Sequence, residues 1–375
     1  MLSKDAKIYV AGHRGLVGSA IWNNLKSRGY SNLVGRTHRE LDLLDGQAVR
    51  RFFDEEQPEA VVLAAAHVGG IMANLQYRAD FIYQNLQIQQ NVIGESFRHG
   101  VKKLLFLGST CIYPREAPQP MTEDCLLTSP LEYTNEPYAI AKIAGLKMCE
   151  SFNLQYGTNY IAVMPTNLYG PNDNFHLENS HVLPAMIRKI HLARCLNEGD
   201  WTSVRRDLNR RPVQGVDGTA SETEILDVLA HFGIRPESVT LWGTGRPLRE
   251  FLWSEEMADA SVHVLLHVDF RDTCPNQTRN ADGIVEVRNC NINVGTGVEL
   301  TIRECAEKIL AEVGFRGQLL WDASKPDGTM KKLCDVSKLH QLGWHHKVEI
   351  DEGIRRLYAW YREDCLQGKG PLARG

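Results

Sequence analysis

The sequence predicts an α/β protein built on a Rossmann-type doubly wound parallel sheet, followed by a smaller mixed α/β C-terminal domain. Short apolar segments such as KIYVA (7–11) and AVVLAAA (60–66) alternate with amphipathic helical patterns up to about residue 165. This alternation is typical of right-handed βαβ units. The first apolar segment ends at a glycine-rich turn that opens a helix, and the alternation loosens beyond about residue 180.

The apolar periodicity places each element of the first domain in order. Strands are predicted at 7–11, 32–35, 60–66, 103–108 and 160–165, and helices at 16–28, 46–56, 76–98 and 138–156. Each strand is followed by a helical pattern, so the strands run parallel and their carboxyl ends meet at one edge. Ligands bind at that edge in open α/β sheets.

The predicted domains are a nucleotide-binding domain at 1–180, to which some later segments return, and a mainly substrate-binding domain at 181–375. Residues 197–237 are polar and arginine-rich and carry one amphipathic helix, which indicates an insertion. A second polar stretch, 269–283, is expected to be a surface loop. The C-terminal part then shows a helix at 301–313, a strand at 317–321 and a helix at 350–364.

The composition is that of an ordinary soluble globular protein. The 375 residues carry a formal net charge of −4, which indicates neither a nucleic-acid nor a membrane partner. No apolar run approaches the roughly 20 residues that a membrane span needs. The chain enters its first strand without a secretory signal, and its nine cysteines form no CxxC pair, so we expect reduced thiols in the cytoplasm and no metal site.

The turn GHRGLVG places Gly12, Gly15 and Gly18 between the first strand and its helix. Glycines there permit a tight turn and let the helix N-terminus face a pyrophosphate. A glycine triplet alone is weak evidence, because a plain structural turn has the same composition. Its position between strand and helix favours dinucleotide binding.

Basic residues favour NADPH over NADH. An NAD site usually has an acidic residue at the end of the second strand, but here that region carries Arg36, His38 and Arg39. Arg14 adds a cation inside the glycine turn, and positive charge at both places suits a 2′-phosphate. The alternative is a solvated basic loop. Asp42 follows at a position suited to the adenine.

The motif PYAIAK places Tyr138 and Lys142 four residues apart, on one face of the predicted helix. A nearby lysine cation favours the phenolate of a tyrosine whose ordinary pKa is about 10. Tyr138 can then exchange a proton with an alcohol or ketone, while Ser109 or Thr110 at a strand end holds the same oxygen. A YxxxK pair occurs by chance on many helices, but chance becomes improbable beside the glycine turn.

At this point the sequence resembles the extended short-chain dehydrogenase/reductases that act on nucleotide sugars. The motifs that carry the resemblance include AGHRGLVGSAI, AAAHVGGIMAN, ADFIYQN, KLLFLGSTCIYP, TNEPYAIAKIAG, MPTNLYGPNDNFH, NSHVLPA, NVGTGVE and DASKPDGT. The resemblance covers about 1–196 and 238–365 and leaves out the insertion at 197–237.

The resemblance implies a two-part reaction on GDP-4-keto-6-deoxy-D-mannose that gives GDP-L-fucose. Epimerisation at C3 and C5 would precede NADPH-dependent reduction of the 4-ketone, and it needs an acid/base pair beyond the reductase set. The matching motifs place Cys111 and His181 in those roles. Without the resemblance, Cys111 would more often be a small buried hydrophobe and His181 a helix N-terminal residue bonded to the backbone.

The resemblance also implies the residues that bind the two ligands and a homodimer. The NADP(H)-binding positions are Gly12, His13, Arg14, Gly15, Leu16, Val17, Gly18, Arg36, His38, Arg39, Asp42, Leu107, Gly108, Thr110, Lys142, Pro165, Thr166, Asn167, Leu168 and His181. The substrate-binding positions are Lys189, Trp242, Arg249 and Asp327. A tryptophan can stack on guanine and an arginine can pair with a diphosphate, whereas a core tryptophan and a surface ion pair are the alternatives.

Two other classes of function remain open. A nucleotide-sugar 4,6-dehydratase would need an acidic pair beside the strand-end hydroxyl, where this chain reads STCIYP with no carboxylate before Glu116. A 4-epimerase would hold NAD tightly and would not need Cys111 with His181. A non-catalytic dinucleotide-sensing protein would be expected to lose the tyrosine or the lysine, and both are present.

Overall fold

The computed structural model of the protein describes residues 2–274, 278–279, 281–325 and 327–366, except for the side chains at 71, 72 and 278. Pro326 of the DASKPDGT motif and residues 367–375 of the predicted second domain lie outside the described residues.

The strands and helices of the described residues are numbered in chain order. The strands are β1 (Ile8–Ala11), β2 (Leu33–Val34), β3 (Ala60–Leu63), β4 (Lys103–Leu107), β5 (Tyr160–Pro165), β6 (Asn167–Tyr169), β7 (Ser238–Trp242), β8 (Leu248–Arg249), β9 (Phe251–Trp253), β10 (Thr278–Arg279), β11 (Val285–Glu286), β12 (Ile292–Val294), β13 (Leu300–Thr301) and β14 (Gln318–Asp322). The helices are α1 (Leu16–Ser27), α2 (Gly46–Glu56), α3 (Ile71–Gln76), α4 (Arg78–Arg98), α5 (Glu136–Tyr156), α6 (Val182–Asn197), α7 (Trp201–Arg210), α8 (Glu222–His231), α9 (Ser254–His267), α10 (Ile302–Val313), α11 (Ser337–Gln341) and α12 (Ile350–Leu366).

A six-stranded parallel sheet in the order β12-β5-β4-β3-β1-β2 forms the centre of the protein. The predicted α/β class and doubly wound sheet are therefore confirmed. Its strands are buried on both faces, which is why they read as continuous apolar runs rather than as alternating patterns. Ile8 pairs with Leu33 on one side and with Ala60 on the other, so the strand order reverses at β1, where the glycine turn begins.

Two hydrophobic clusters cover the faces of this sheet, and a third forms a separate core. The third cluster gathers side chains of α6, α7, α8, α10 and α12 with those of β7 and β14. The C-terminal half also sends β12 back to the edge of the large sheet, where it pairs with β5. As a result, segments from both halves of the sequence meet at the carboxyl edge of β5.

The insertion contains two helices, whereas the sequence pattern indicates only one. The arginine-rich part forms α7, whose Asp207 is fully buried and forms an ion pair with the equally buried Arg188 of α6 at 2.7 Å. Arg211 and the α12 residues Asp364 and Tyr361 complete the network. Since these arginines neutralise buried carboxylates, a composition that is typical of a solvated loop instead belongs to a packed helix.

The long helix predicted at 76–98 is confirmed as α4, and a short helix that the sequence pattern does not show, α3, precedes it. α3 ends at Gln76 and α4 begins at Arg78, because Tyr77 between them leaves the helical conformation with φ −110° and ψ 41°. Among the residues that the structure describes, no helix is long and apolar enough to cross a membrane.

Candidate active site

The glycine turn is as tight as its sequence indicates. Gly12 has φ +84°, a region that favours glycine, and its carbonyl accepts a hydrogen bond from Gly15 N at 3.0 Å. A Cβ on Gly18 would lie 2.0 Å from the Gly12 oxygen, so no larger residue fits there. Leu16 and Val17 begin α1 directly behind the turn. The helix N-terminus is therefore open to an anionic group such as a pyrophosphate.

The cations predicted to favour a 2′-phosphate differ in their surroundings. Arg36 forms an ion pair with Glu56 of α2 at 2.5 Å, so much of its charge is already neutralised. Arg14 and Arg39 are exposed and make no hydrogen bond or ion pair with the part of the chain that the structure describes. These two arginines, rather than Arg36, are the available cations beside the turn.

Three other predicted cofactor positions lie close to this turn. His38 Nδ1 lies 3.7 Å from Asp42 Oδ1, and the same carboxylate oxygen accepts a hydrogen bond from Leu44 N at 2.9 Å. Asp42 thus fixes the loop after β2. His13 packs against Trp22 with the ring centroids 5.4 Å apart, and burial lowers the pKa of its imidazole.

The end of β4 presents the segment 108–111 at the edge of the sheet. A Cβ on Gly108 would lie 2.2 Å from Met164 Sδ, so a larger residue here would displace the Met164 side chain. Ser109 Oγ accepts a hydrogen bond from Cys111 N at 3.3 Å and thereby caps the short 3₁₀ turn that contains Thr110 and Cys111. Ser109 remains half-buried, whereas the next two residues are buried.

Lys142 and Tyr138 lie beside this strand end on the first turns of α5. Lys142 Nζ donates a hydrogen bond to the Leu107 carbonyl at 2.7 Å, which ties the helix to the strand that carries Ser109. The same nitrogen lies 5.7 Å from the centre of the Tyr138 ring. Phe81 of α4 contacts this ring edge-on at a centroid distance of 6.2 Å.

Burial dominates the electrostatics of this pair in the ligand-free protein. It raises the pKa of Tyr138, and the nearby Cys111 adds to the increase. Burial also lowers the pKa of Lys142 to about 8. In the ligand-free protein, burial therefore outweighs any lowering of the tyrosine pKa by the lysine cation. Without ligand, Tyr138 is therefore a protonated phenol and a proton donor.

The pKa values of Cys111 and His181 are shifted in opposite directions. Burial raises the pKa of the Cys111 thiol, partly offset by the charges of Lys332 and Lys142. Packing of the protein around His181 lowers the pKa of its imidazole, although the residue is exposed at the start of α6. At neutral pH Cys111 is thus a protonated thiol and His181 a neutral imidazole. Lys332 carries no motif that would have singled it out in the sequence.

The segment 165–168 begins with the last residue of β5 and continues into the first strand of a second strand pair. Thr166 N donates to the Val294 carbonyl at 3.0 Å, and Asn167 Nδ2 donates to the Glu250 carbonyl at 2.9 Å. Leu168 lies in β6, which pairs with β9. Sequence analysis missed Glu250, although a charged residue inside the apolar run LREFLW indicates a buried partner.

Trp242 and Asp327 meet at the end of β7. Both oxygens of Asp327 accept hydrogen bonds from Thr244, one from the backbone N at 2.8 Å and one from Oγ1 at 2.7 Å. Asp327 therefore fixes the turn after Trp242, whose ring is 61% exposed. Lys325 Nζ lies 5.5 Å from the centre of that ring. An exposed indole with a nearby cation suits a flat aromatic ligand.

Arg249 and Lys189 are two further residues that are predicted to bind the substrate. Arg249 Nη1 donates to the carbonyls of Leu248 and Thr329, which aims the guanidinium at the loop that carries Asp327. Lys189 on α6 is only 7% exposed, and burial lowers its pKa to about 8. It makes no hydrogen bond or ion pair with any residue in the described ranges, so its ammonium group is available to an anion.

Comparison with known proteins identifies the family to which the chain is similar. A family model described as "NAD dependent epimerase/dehydratase family" matches residues 8–209. GDP-L-fucose synthase of Escherichia coli (strain K12) is 48% identical over 97% of this chain and 99% of the relative. GDP-L-fucose synthase 1 of Arabidopsis thaliana is 49% identical over 96% of this chain and 94% of the relative.

A solved structure of a related enzyme is similar to this chain over nearly its whole length. It is GDP-mannoheptose C4 reductase from Campylobacter jejuni with NADP bound, 43% identical, with a TM-score of 0.83 over 96% of this chain and 99% of that one. The doubly wound sheet, the glycine turn and the Tyr138–Lys142 pair together define a short-chain dehydrogenase type of site. More specifically, the chain belongs to the NAD dependent epimerase/dehydratase family.

Proposed function

We propose that the protein converts GDP-4-keto-6-deoxy-D-mannose to GDP-L-fucose, by epimerisation at C3 and C5 and NADPH-dependent reduction of the 4-ketone. The observation that supports both steps is the presence of Cys111 in the same buried site as Tyr138 and Lys142. The relatives named GDP-L-fucose synthase support this choice of substrate.

Epimerisation needs proton removal and return at two carbons. The hydrogens at C3 and C5 flank the ketone and are acidic because their loss gives an enolate. Cys111 and His181 supply a protonated thiol and a neutral imidazole, so one group takes a proton while the other returns one to the opposite face. Ser109 at the strand end holds the ketone oxygen, on which the enolate charge develops.

Reduction uses a different set of residues. A bound NADPH supplies the hydride to C4. Tyr138, a protonated phenol in this site, donates its proton to the oxygen of the ketone. Lys142 holds the end of β4 through the Leu107 carbonyl, and its cation stabilises the phenolate that remains.

The residues beside the glycine turn fit NADPH. The pyrophosphate would lie against the α1 N-terminus, which the close backbone packing at Gly12 and Gly18 brings against the end of β1. Arg14 and Arg39 would pair with the 2′-phosphate as the available cations. On the other side of the site, Trp242 would stack on guanine.

A direct assay tests this function. Purified protein incubated with GDP-4-keto-6-deoxy-D-mannose and NADPH in D₂O should oxidise NADPH and yield GDP-L-fucose with deuterium at C3 and C5. No NADPH oxidation would contradict the reductase assignment. Reduction without deuterium at C3 and C5 would instead identify a C4 reductase, the activity named for the Campylobacter relative.

Lys189 should make substrate binding depend on pH. Its lowered pKa of about 8 means that the ammonium group is charged below pH 8 and neutral above it. Binding of an anionic diphosphate favours the charged form, so KM for the GDP-sugar should increase between pH 7.5 and 9.5 by up to about tenfold per pH unit. The measurement is KM as a function of pH with saturating NADPH.

Two variants isolate this effect. Lys189→Met should have a raised KM at pH 7 that varies little up to pH 9.5, whereas Lys189→Arg stays charged and should keep a low KM over the whole range. Lys142 has a similar pKa, but its loss of charge should change kcat rather than KM. A KM profile in Lys189→Met that matches the parent would contradict the role of Lys189.

We further propose that the protein is a cytoplasmic homodimer that pairs through α4 and α5. Ile140 and Leu154 lie fourteen residues apart on one face of α5 and are 39% and 54% exposed. Tyr83 of the adjacent α4 is 68% exposed. Light scattering should give twice the chain mass of 42.3 kDa, and Leu154→Glu should give monomers. A monomeric parent would contradict the proposed dimer.

Within each chain, we propose that residues 1–180 with the returning β12 bind NADP(H), and that residues 181–375 mainly bind the GDP-sugar. The third hydrophobic cluster, which surrounds α6 and the insertion, supports this division.

A further inference from the structure

We propose that Glu250 is a positioning residue for the reduction step: it holds the segment 165–168 and the turn 295–297 together at the carboxyl edge of β5 and β12. The inference rests on the proposed function and on the NADP(H)-binding role that the family resemblance implies for 165–168, beside the nicotinamide. Glu250 itself is fully buried and belongs to neither the predicted cofactor set nor the predicted substrate set.

The side chain of Glu250 is surrounded by backbone donors. Oε1 accepts hydrogen bonds from Thr296 N at 2.6 Å and from Gly297 N at 2.8 Å, and Oε2 accepts one from Cys334 N at 3.1 Å. A carboxylate has two acceptor oxygens and no donor, which suits three N–H groups. A Cβ on Gly295 would lie 2.2 Å from Oε1, so the turn is packed tightly against the carboxylate.

The backbone of the same residue holds the other segment. The Glu250 carbonyl accepts hydrogen bonds from Asn167 Nδ2 at 2.9 Å and from Thr166 Oγ1 at 3.4 Å. The chain then enters β9, whose Phe251 pairs with Asn167 in parallel register. One residue therefore fixes Thr166 and Asn167 through its carbonyl and the turn 295–297 through its carboxylate.

These two segments follow neighbouring strands of the sheet. β5 ends at Pro165 and β12 ends at Val294, and Thr166 N donates to the Val294 carbonyl between them. A displacement of Glu250 would thus move Thr166 and Asn167 relative to the sheet edge. Cys111 lies in the turn after β4 and Tyr138 lies on α5. Neither residue forms a hydrogen bond with Glu250. Reduction should therefore depend on Glu250 more than proton exchange does.

Glu250→Gln tests the inference with almost no change in shape. The amide brings an NH₂ group against at least one backbone N–H, which leaves two donors facing each other. We expect NADPH oxidation to slow by about ten- to a hundredfold, the range caused by small misplacements of reacting groups. Deuterium exchange at C3 and C5 without NADPH should stay within about threefold of the parent. With NADPH deuterated at the transferred position, the isotope effect on kcat should increase.

Asp207→Asn is the matched control, because it also neutralises a fully buried carboxylate but lies on α7, whose Val204 and Leu208 belong to the third hydrophobic cluster. It should lower Tm without changing the isotope effect or the ratio of exchange to reduction. The inference is overturned if Glu250→Gln behaves in the same way, with exchange and reduction falling together. If Glu250→Gln does not fold, Glu250→Asp keeps the charge on a shorter side chain, and the same two readouts apply. An inactive parent enzyme would instead contradict the proposed function.

Discussion

Replacement of Tyr138 by phenylalanine should slow reduction of the ketone by about 10²- to 10⁴-fold, the usual contribution of a positioned proton donor. The hydroxyl is the group lost, while Phe81 continues to pack against the ring. Cys111 and His181 stay in place, so deuterium should still enter C3 and C5. The protein should then accumulate the epimerised ketone in the presence of NADPH, which NMR of the sugar detects.

The control for this variant lies on the same helix. Tyr156→Phe removes a hydroxyl from the other end of α5, where the side chain is 54% exposed, and should leave both rates unchanged. NADPH should bind Tyr138→Phe with the parent's affinity, measured by nucleotide fluorescence. A Tyr138→Phe enzyme that reduces the ketone at the parent's rate would remove Tyr138 from the mechanism.

The sequence predicts the sheet well because its signals are local. Buried parallel strands are continuous apolar runs, and Gly12 and Gly18 are needed where the chain passes close to itself. The spacing of Tyr138 and Lys142 on one helical face likewise needs no tertiary information. These features follow from the backbone geometry of single elements.

The remaining features depend on contacts between residues distant in the sequence. The ion pair of Arg36 with Glu56 and the hydrogen bonds from Thr244 to both oxygens of Asp327 are examples that the sequence does not reveal. The sequence pattern shows only one helix in the insertion, because the partner of Arg210 and Arg211 at the end of α7 is Asp364 on the distant α12. No periodicity in the sequence encodes such partners.

The same argument applies to pKa values. A lysine four residues after a tyrosine suggests a lowered tyrosine pKa, but burial of Tyr138 outweighs it in the ligand-free protein. Burial likewise lowers the pKa of Lys142 to about 8. The depth at which a group is buried is set by the whole fold, so its effect on proton transfer emerges only from the structure.

Cys111→Ala has the second large expected effect, which falls on epimerisation. The variant should lose deuterium entry at C3 and C5 by about 10²- to 10⁴-fold, because the thiol is the proposed proton donor that acts with His181. NADPH affinity should change by less than about twofold, since the predicted cofactor-binding residues, Thr110 among them, are unchanged. GDP-L-fucose formation should fall with the exchange rate, since the epimerised ketone is no longer supplied to Tyr138.

A matched cysteine separates this chemical role from packing. Cys149→Ala removes an equally buried thiol from α5, so it loses similar packing but should retain exchange and reduction. Cys111→Ser offers the opposite comparison: it keeps the shape and a hydroxyl but raises the pKa of the donor, so exchange should stay slow. Unchanged deuterium entry in Cys111→Ala would exclude the thiol from the reaction. Since reduction alone needs only Ser109, Tyr138 and Lys142, that result would leave this site a reductase without an epimerase.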